Sequence, residues 1–186
     1  EYYPLSPPQQ RVYFQYRLDP DGLSYNIPQT AVLEGTPDRE TFARVFNRIV
    51  RRHDSLRTYF VTVNDEPVQR VAKTAEVELT VMDAGENEPA HLIGDFIRPF
   101  DLSAPPLIRL ALIRENHTRY LLVFDIHHII ADGTSIGIML KEFVELYGKE
   151  DQAYLKPGFR YNDYCSWQRR RFDVNSEVSE TQKEFW

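Results

Sequence analysis

Residues 120–135 read YLLVFDIHHIIADGTS, an almost unbroken apolar run that ends in two adjacent histidines and an Asp-Gly pair. Apolar residues without alternation are typical of a strand that is covered on both faces and lies inside a sheet. From Thr134 onward the apolar residues recur at helical spacing instead. We therefore predict a central strand that ends at the histidines and continues through a tight turn into a helix.

The segments around this stretch alternate between strand and helix patterns. Residues 107–114 and 119–126 are predicted to form an antiparallel hairpin. The other predicted strands are 28–33, 77–82 and the pair 56–63 and 68–71. The first predicted helix starts at Ser6, which two prolines follow. The other predicted helices are 38–53, 87–100, 134–147, 161–172 and a last one that starts at Ser176. Antiparallel neighbours mixed with helices predict an α+β fold, with a mixed and mostly antiparallel sheet packed against helices.

Four of these helices have apolar residues on one face, which predicts that this face packs on the core. In the helix at 87–100 these residues are Leu92, Ile93, Phe96, Ile97 and Phe100. In the helix at 38–53 the stripe consists of Phe42, Val45, Phe46, Ile49, Val50 and His53. In the helix at 134–147 it consists of Ile136, Leu140, Phe143, Val144 and Tyr147. In the helix at 161–172 the aromatic side chains of Tyr161, Tyr164 and Trp167 are predicted to be core.

The composition is that of a globular protein without a basic excess. The 186 residues are 42% apolar, and 22 Lys and Arg against 28 Asp and Glu give a net charge of −6. This balance argues against non-specific binding to nucleic acid or anionic membranes, which needs positive charge. No apolar run approaches the ~20 residues of a membrane-spanning helix. Neither a signal peptide nor a glycine-rich phosphate loop is present in the sequence.

Two further features concern the origin of the chain. The single cysteine, Cys165, excludes an intrachain disulfide and fits a cytoplasmic location. The chain opens at Glu1 without a methionine and stops at Trp186 within a helical pattern, so we expect it to be part of a longer protein.

The two histidines are the main candidates for chemistry. Adjacent side chains of a strand point to opposite faces, so one of His127 and His128 is expected to face the scaffold and the other a cleft. A histidine is the natural proton acceptor near neutral pH. Asp132 can cap the following helix or pair with a cation, and Gly133 tolerates unusual backbone angles. The alternative is that both histidines are satisfied core residues and that Asp-Gly is only a turn.

Other polar residues are weaker candidates. Arg57 is the best internal cation to pair with a buried Asp132, although a solvated surface arginine is equally compatible with the sequence. Cys165 has no neighbouring histidine or helix start to activate it, so we do not expect a nucleophile. The run 169–171 of three arginines indicates a solvated face or a contact with an acidic partner. The remaining histidines lack metal-ligand spacing, so no metal site is predicted.

Four motifs, in this order, resemble those of the condensation domains of nonribosomal peptide synthetases. They are residues 6–13 (SPPQQRVY), 52–60 (RHDSLRTYF), 127–133 (HHIIADG) and 161–167 (YNDYCSW). Pro8 stands where the family favours Ala, and Asp54 where Glu is commoner. The third motif alone is shared with chloramphenicol acetyltransferases and other acyltransferases, so the four together carry the resemblance.

The resemblance implies a chloramphenicol-acetyltransferase-like lobe that takes part in peptide bond formation during antibiotic and other secondary-metabolite biosynthesis. The family's full domain is a V-shaped pair of lobes, and residues 1–186 resemble the N-terminal lobe without the C-terminal one. A donor thioester on the 4′-phosphopantetheine arm of an upstream carrier protein is attacked by the amine of an aminoacyl group on a downstream carrier. The implied partners are the second lobe, both carrier proteins and an adjacent adenylation domain, with no cofactor bound to the domain itself.

The resemblance also implies residue roles. His128 is the candidate catalytic group, as proton acceptor or as a group that orients the amine, and His127 supports it. Asp132 and Arg57 pair to hold the loop in place, and Gly133 leaves room for the pantetheine arm in substrate binding. An epimerisation domain keeps both histidines and stays an alternative, as does a lobe that only docks carrier proteins.

Overall fold

The computed structural model describes residues 1–85, 88–148 and 159–171. Within these ranges the strands are β1 (Tyr3–Pro4), β2 (Asn26–Glu34), β3 (Thr58–Val63), β4 (Glu66–Val71), β5 (Leu79–Asp83), β6 (Ile108–Arg114) and β7 (Arg119–His127). The helices are α1 (Pro7–Leu18), α2 (Arg39–Arg52), α3 (Pro89–Phe96), α4 (Gly133–Tyr147) and α5 (Tyr161–Arg171). The helix predicted from Ser176 lies outside the described residues. None of the helices in the described ranges is long and apolar enough to cross a membrane.

The strands form two sheets. A four-stranded sheet has the order β2-β7-β6-β5, in which β7 is antiparallel to both neighbours and β5 is parallel to β6. A three-stranded antiparallel sheet has the order β1-β4-β3. These pairings confirm the predicted α+β class, the β6–β7 hairpin and the interior position of β7.

Strand β7 is covered on both faces because alternate side chains join two different apolar clusters. Leu122, Phe124 and Ile126 pack into the large core with α2 and α4. Val123 packs on the opposite face in a smaller cluster that includes Phe96 of α3. The continuous apolar run of the strand therefore reflects two separate burial surfaces.

The helix starts follow the capping residues that the sequence indicates. Ser6 and Gln9 form a capping box at α1, with prolines in the first turn. The side chain of Asp38 accepts a hydrogen bond from the N–H of Glu40 and begins α2. The five apolar residues predicted for the buried face of α2 are buried, and His53 is its C-terminal cap.

Three segments are shorter than predicted, each for a local reason. Helix α3 stops before Arg98 because the residue before a proline disfavours helical backbone. Strand β5 starts after Val77, whose N–H and carbonyl both bond to the Asn47 side chain. A 3-10 turn at Asp54–Arg57 replaces the predicted start of β3.

Two predicted core faces are wrong in part. Val144 is 72% exposed, and α4 instead buries Met139, Glu142 and Leu146 beside Ile136 and Phe143. On α5 the aromatic residues Tyr161, Tyr164 and Trp167 are 44–47% exposed, whereas Asn162 and Cys165 are buried. The helix therefore docks through Asn162 and Cys165, and it packs beside β1 with Cys165 on the amide of Gln9.

Candidate active site

A cleft of about 1420 Å³ lies where β7 ends, between α1, the 3-10 turn, β4 and the start of α5. Side chains from all four sequence motifs line it, including Gln9, Arg57, His128 and Tyr161. The fold thus brings together segments that are far apart in the sequence. The cleft is larger than the ≈ 300–1,000 Å³ of a typical ligand pocket.

His128 is exposed on this cleft and is held by two hydrogen bonds. Its backbone N–H donates to the carbonyl oxygen of Tyr25 at 2.8 Å. Its ring Nδ1 lies 3.0 Å from the carbonyl oxygen of Ala131. A carbonyl oxygen can only accept, so Nδ1 carries a proton, and in the neutral form of the ring the lone pair is on Nε2. Nε2 makes no hydrogen bond to any residue in the described ranges.

His127, the last residue of β7, is buried in the scaffold and is not among the residues that line the cleft. Its Nδ1 accepts a hydrogen bond from the N–H of Ile129 at 3.2 Å. The Phe100 ring packs edge-on against the imidazole, with 5.9 Å between the two ring centroids. Burial, together with the nearby charges of His128 and Arg109, lowers the pKa of His127 to about 4. His127 is therefore neutral near pH 7, and the predicted division into a scaffold-facing and a cleft-facing histidine is confirmed.

Asp132 caps α4, and no Lys or Arg of the described ranges pairs with it. Its Oδ1 accepts hydrogen bonds from the hydroxyl of Ser135 at 2.6 Å and from the Ser135 N–H at 2.8 Å. Both bonds lower the pKa of the Asp132 carboxyl, and the bond from the Ser135 hydroxyl has the larger effect. Gly133 is the first residue of α4, and its φ lies outside the left-handed region that glycine alone adopts easily. A Cβ at this position would meet no atom within 4 Å.

Arg57 binds Asp54, which corrects the predicted ion pair with Asp132. Its guanidinium donates to a carboxylate oxygen of Asp54 and to the carbonyl oxygen of Ala72. Asp54 lies three residues earlier on the same 3-10 turn, so it is the nearest carboxylate by local geometry alone. The Arg57 side chain is only 12% exposed, so it is not a solvated surface arginine either. Both Arg57 and Asp132 nevertheless line the cleft.

A buried polar cluster around Asp125 of β7 was not predicted from the sequence. Asp125 is fully buried, and its Oδ2 accepts hydrogen bonds from Asn26 at 2.7 Å and from Arg109 at 3.3 Å. Burial raises the pKa of Asp125 and lowers that of Arg109 to about 10. The guanidinium of Arg109 also stacks 3.6 Å over the Phe100 ring. The signal in the sequence is a lone carboxylate inside an apolar strand.

A second missed cluster joins α2 to α4. Glu142 is buried, and its two carboxylate oxygens lie 2.8 Å from Nε2 of His53 and 3.2 Å from Nε of Arg52. The acidic residue on an otherwise apolar helix face is the sequence signal. The contact fixes the C-terminal end of α2 beside the helix that Asp132 caps.

Cys165 is buried, and burial raises the pKa of its thiol, which disfavours the thiolate that a nucleophile needs. The Sγ atom lies 3.7 Å from Oε1 of Gln9 and acts as a weak donor. In the described ranges, no group of three or more His, Cys, Asp and Glu side chains could hold a metal ion.

A comparison with protein-family models matches the condensation domain over residues 1–186. The chain belongs to the condensation domain family. It is 38% identical over 186 residues to gramicidin S synthase 2 of Aneurinibacillus migulanus and 46% identical over 166 residues to surfactin synthase subunit 2 of Bacillus subtilis. The aligned region covers 100% and 89% of this chain but only 4% and 5% of those proteins.

Solved structures share the fold of this condensation domain sequence. The starter condensation domain of the rhizomide synthetase RzmA superposes with a TM-score of 0.83 at 23% identity, over all of this chain and 46% of that one. The X-domain in a complex with OxyB from teicoplanin biosynthesis gives 0.86 at 23% identity, over all of this chain and 42% of that one. The predicted family and its fold are confirmed, and the chain spans less than half of these structures.

Proposed function

We propose that this chain is the N-terminal lobe of a condensation domain that joins two carrier-bound groups by an amide bond, with His128 as its reactive side chain. The observation that supports this most strongly is the contact of 3.0 Å between Nδ1 of His128 and the Ala131 carbonyl oxygen on a ring that lines the cleft. This contact uses Nδ1 as the donor and leaves Nε2 for a substrate. A neutral imidazole in that orientation can accept a proton from an amine.

The proposed reaction has two proton steps at the same nitrogen. The acceptor amine attacks the carbonyl carbon of the donor thioester, and its excess proton passes to Nε2 of His128. The tetrahedral intermediate then collapses, the carbon–sulfur bond breaks, and the imidazolium returns the proton to the phosphopantetheine thiolate. A positioned base contributes about 10²–10⁴-fold, which is sufficient for a thioester that is already activated.

The carriers and the second lobe also belong to the proposal. The donor and acceptor carriers are expected to present their phosphopantetheine arms to the cleft, beside an adenylation domain in the same synthetase. The C-terminal lobe is expected to close the cleft opposite His128, which agrees with the share of the solved condensation domains that this chain covers. The exposed position of Gly133, with open space at its missing Cβ, is compatible with passage of the arm.

The test is a reconstitution. The chain is produced together with the segment that follows it in its gene, and two carrier proteins are loaded with aminoacyl-phosphopantetheine. Intact-mass spectrometry is expected to detect a dipeptidyl group on the downstream carrier. The isolated chain, folded by circular dichroism, is expected to give negligible product.

The other outcomes would identify different functions. An inverted α-carbon on a loaded carrier, without dipeptide, would assign the chain to the epimerisation branch. Carrier binding without either product would leave docking as its function. Turnover by the isolated chain at the rate of the completed domain would refute the proposal that a second lobe is needed.

A further inference from the structure

The side chain of Gln9 lies buried beneath the loop that follows His128. It is 4% exposed, and its Nε2 donates a hydrogen bond to the carbonyl oxygen of Ile129 at 3.2 Å. Its Oε1 accepts from the N–H of Ser6 at 3.0 Å, which is one half of the capping box of α1. The start of the first helix is thereby tied to the peptide group next to the reactive histidine.

A second buried amide, that of Gln69, pairs with the first. Gln69 of β4 is 2% exposed and pairs with Gln9 through two amide hydrogen bonds of 3.4 and 3.3 Å. The Gln69 Nε2 also donates to the carbonyl oxygen of Pro4 at 2.8 Å. The Ser6 N–H can only donate and the Ile129 carbonyl can only accept, so the oxygen and nitrogen of the Gln9 amide have one assignment.

The Ile129 residue is therefore held at both of its peptide groups. Its N–H donates to Nδ1 of His127, and its carbonyl accepts from Gln9. His128 lies directly before it, and the His128 ring bonds to Ala131 two residues further on. The position of the His128 imidazole thus depends on where Gln9 and His127 hold this short loop.

We propose that Gln9 is a positioning residue for His128: its buried amide holds the Ile129 carbonyl, and so sets the place of the His128 ring in the cleft. Only the expected effect of Gln9 on the reaction rate rests on the proposed function; its effect on the position of the His128 ring does not. A displacement of about 1 Å at a reacting group can cost about 10²-fold in rate, so a small shift of the loop has a large effect.

The test compares Gln9→Met with Gln10→Met in the completed domain. Methionine keeps the length of the side chain but has no donor, and Gln10 is an exposed neighbour on the same helix whose amide makes one long bond of 3.4 Å to Leu5. Gln9→Met is expected to lower kcat for dipeptide formation by about 10–10²-fold with KM for the loaded carriers unchanged. Gln10→Met is expected to leave both constants at their wild-type values.

A second readout does not depend on the reaction. Nitrogen-15 NMR of the imidazole groups reports the environment of His128 directly, and its resonances are expected to shift in Gln9→Met but not in Gln10→Met. If the wild-type domain makes no dipeptide, the proposed function fails, yet these resonances still decide whether Gln9 positions the ring.

Two further variants separate positioning from stability. Gln69→Met removes the partner amide but leaves the Ile129 contact, so it is expected to lower the melting temperature without changing the His128 resonances. If Gln9→Met does not fold, Gln9→Leu removes the same donor without placing a carboxyl group in the buried site, and is expected to show the same loss of kcat. Unchanged His128 resonances and kcat in a folded Gln9 variant would overturn the inference, as would equal kinetic losses in Gln9→Met and Gln69→Met.

Discussion

Replacing Arg57 with alanine tests which carboxylate this residue holds. Its guanidinium donates to Asp54 and to the Ala72 carbonyl, and its side chain is 12% exposed. An exposed ion pair contributes about 0–1 kcal/mol, whereas breaking a buried one costs about 3–5 kcal/mol. Asp54 is 21% exposed and keeps a second cation, Arg160, at 3.5 Å, so the expected loss lies between these limits, at about 2 kcal/mol.

Urea unfolding of the 186-residue chain measures this loss, and a chain of this size should melt about 4–8 °C lower. Arg70→Ala is the matched control, because Arg70 is an exposed arginine on the neighbouring strand β4. Double-mutant cycles then identify the partner. We expect a coupling of about 1 kcal/mol between Arg57 and Asp54, and additivity within about 0.5 kcal/mol between Arg57 and Asp132. Coupling of Arg57 to Asp132 together with additivity between Arg57 and Asp54 would show that Asp54 is not the partner of Arg57. Equal melting temperatures for Arg57→Ala and Arg70→Ala would show that the ion pair of Arg57 does not stabilise the fold.

Three further predictions concern the scaffold of the site. Asp132→Ala removes the cap of α4 and should cost about 1 kcal/mol in urea unfolding, with most of it recovered by Asp132→Asn; equal losses would contradict the cap. Arg109→Met leaves Asp125 buried without its cation and should cost about 3 kcal/mol, whereas Arg114→Met, at an exposed ion pair, should change the unfolding free energy little; similar effects would be inconsistent with the buried pair. Because the folded pKa of His127 is about 4 and an unfolded histidine titrates near ~6.5, the unfolded chain binds the proton first as the pH falls. Stability should therefore decrease by up to about 3 kcal/mol from pH ~6.5 to ~4. His127→Asn keeps an acceptor near the Nδ1 position and should flatten this part of the pH profile; an unchanged slope would show that other groups cause it.

The sequence predicted the elements whose cause is local. The unbroken apolar run of β7 indicates burial on two faces. Strand alternation predicted different surroundings for His127 and His128, and the structure has them although β7 ends at His127. Helix caps at Ser6 and Asp38 follow from the residue types, since these side chains accept hydrogen bonds from the first turn.

Other features depend on tertiary neighbours and could not be predicted. A helical stripe does not reveal which side of α5 is buried, because the buried Cys165 packs on the amide of Gln9 rather than on apolar residues. Asn47, which precedes β5 by about thirty residues, bonds to Val77 and delays the strand. The partner of Arg57 was predicted from a resemblance, whereas the 3-10 turn places Asp54 beside it.

The candidate site was predictable to a similar extent. Its motifs and the position of His128 at the end of a central strand follow from the sequence, and the structure adds the orientation of the ring. The contact between Nδ1 and Ala131 fixes the tautomer, and this contact arises only after the turn is formed. The buried carboxylates of Asp125 and Glu142 carried no recognisable spacing, although each interrupts an apolar pattern.

The most direct test of the role of His128 is single-turnover dipeptide formation by the completed domain, with wild type beside His128→Ala and both carriers fully loaded. His128→Ala should fold normally, because the ring is exposed and makes one hydrogen bond, which lies on the loop itself. We expect a rate loss of about 10²–10⁴-fold for this variant, in line with removal of a positioned base. Product at the wild-type rate from a folded His128→Ala would contradict the central claim, since the cleft would then act without its histidine.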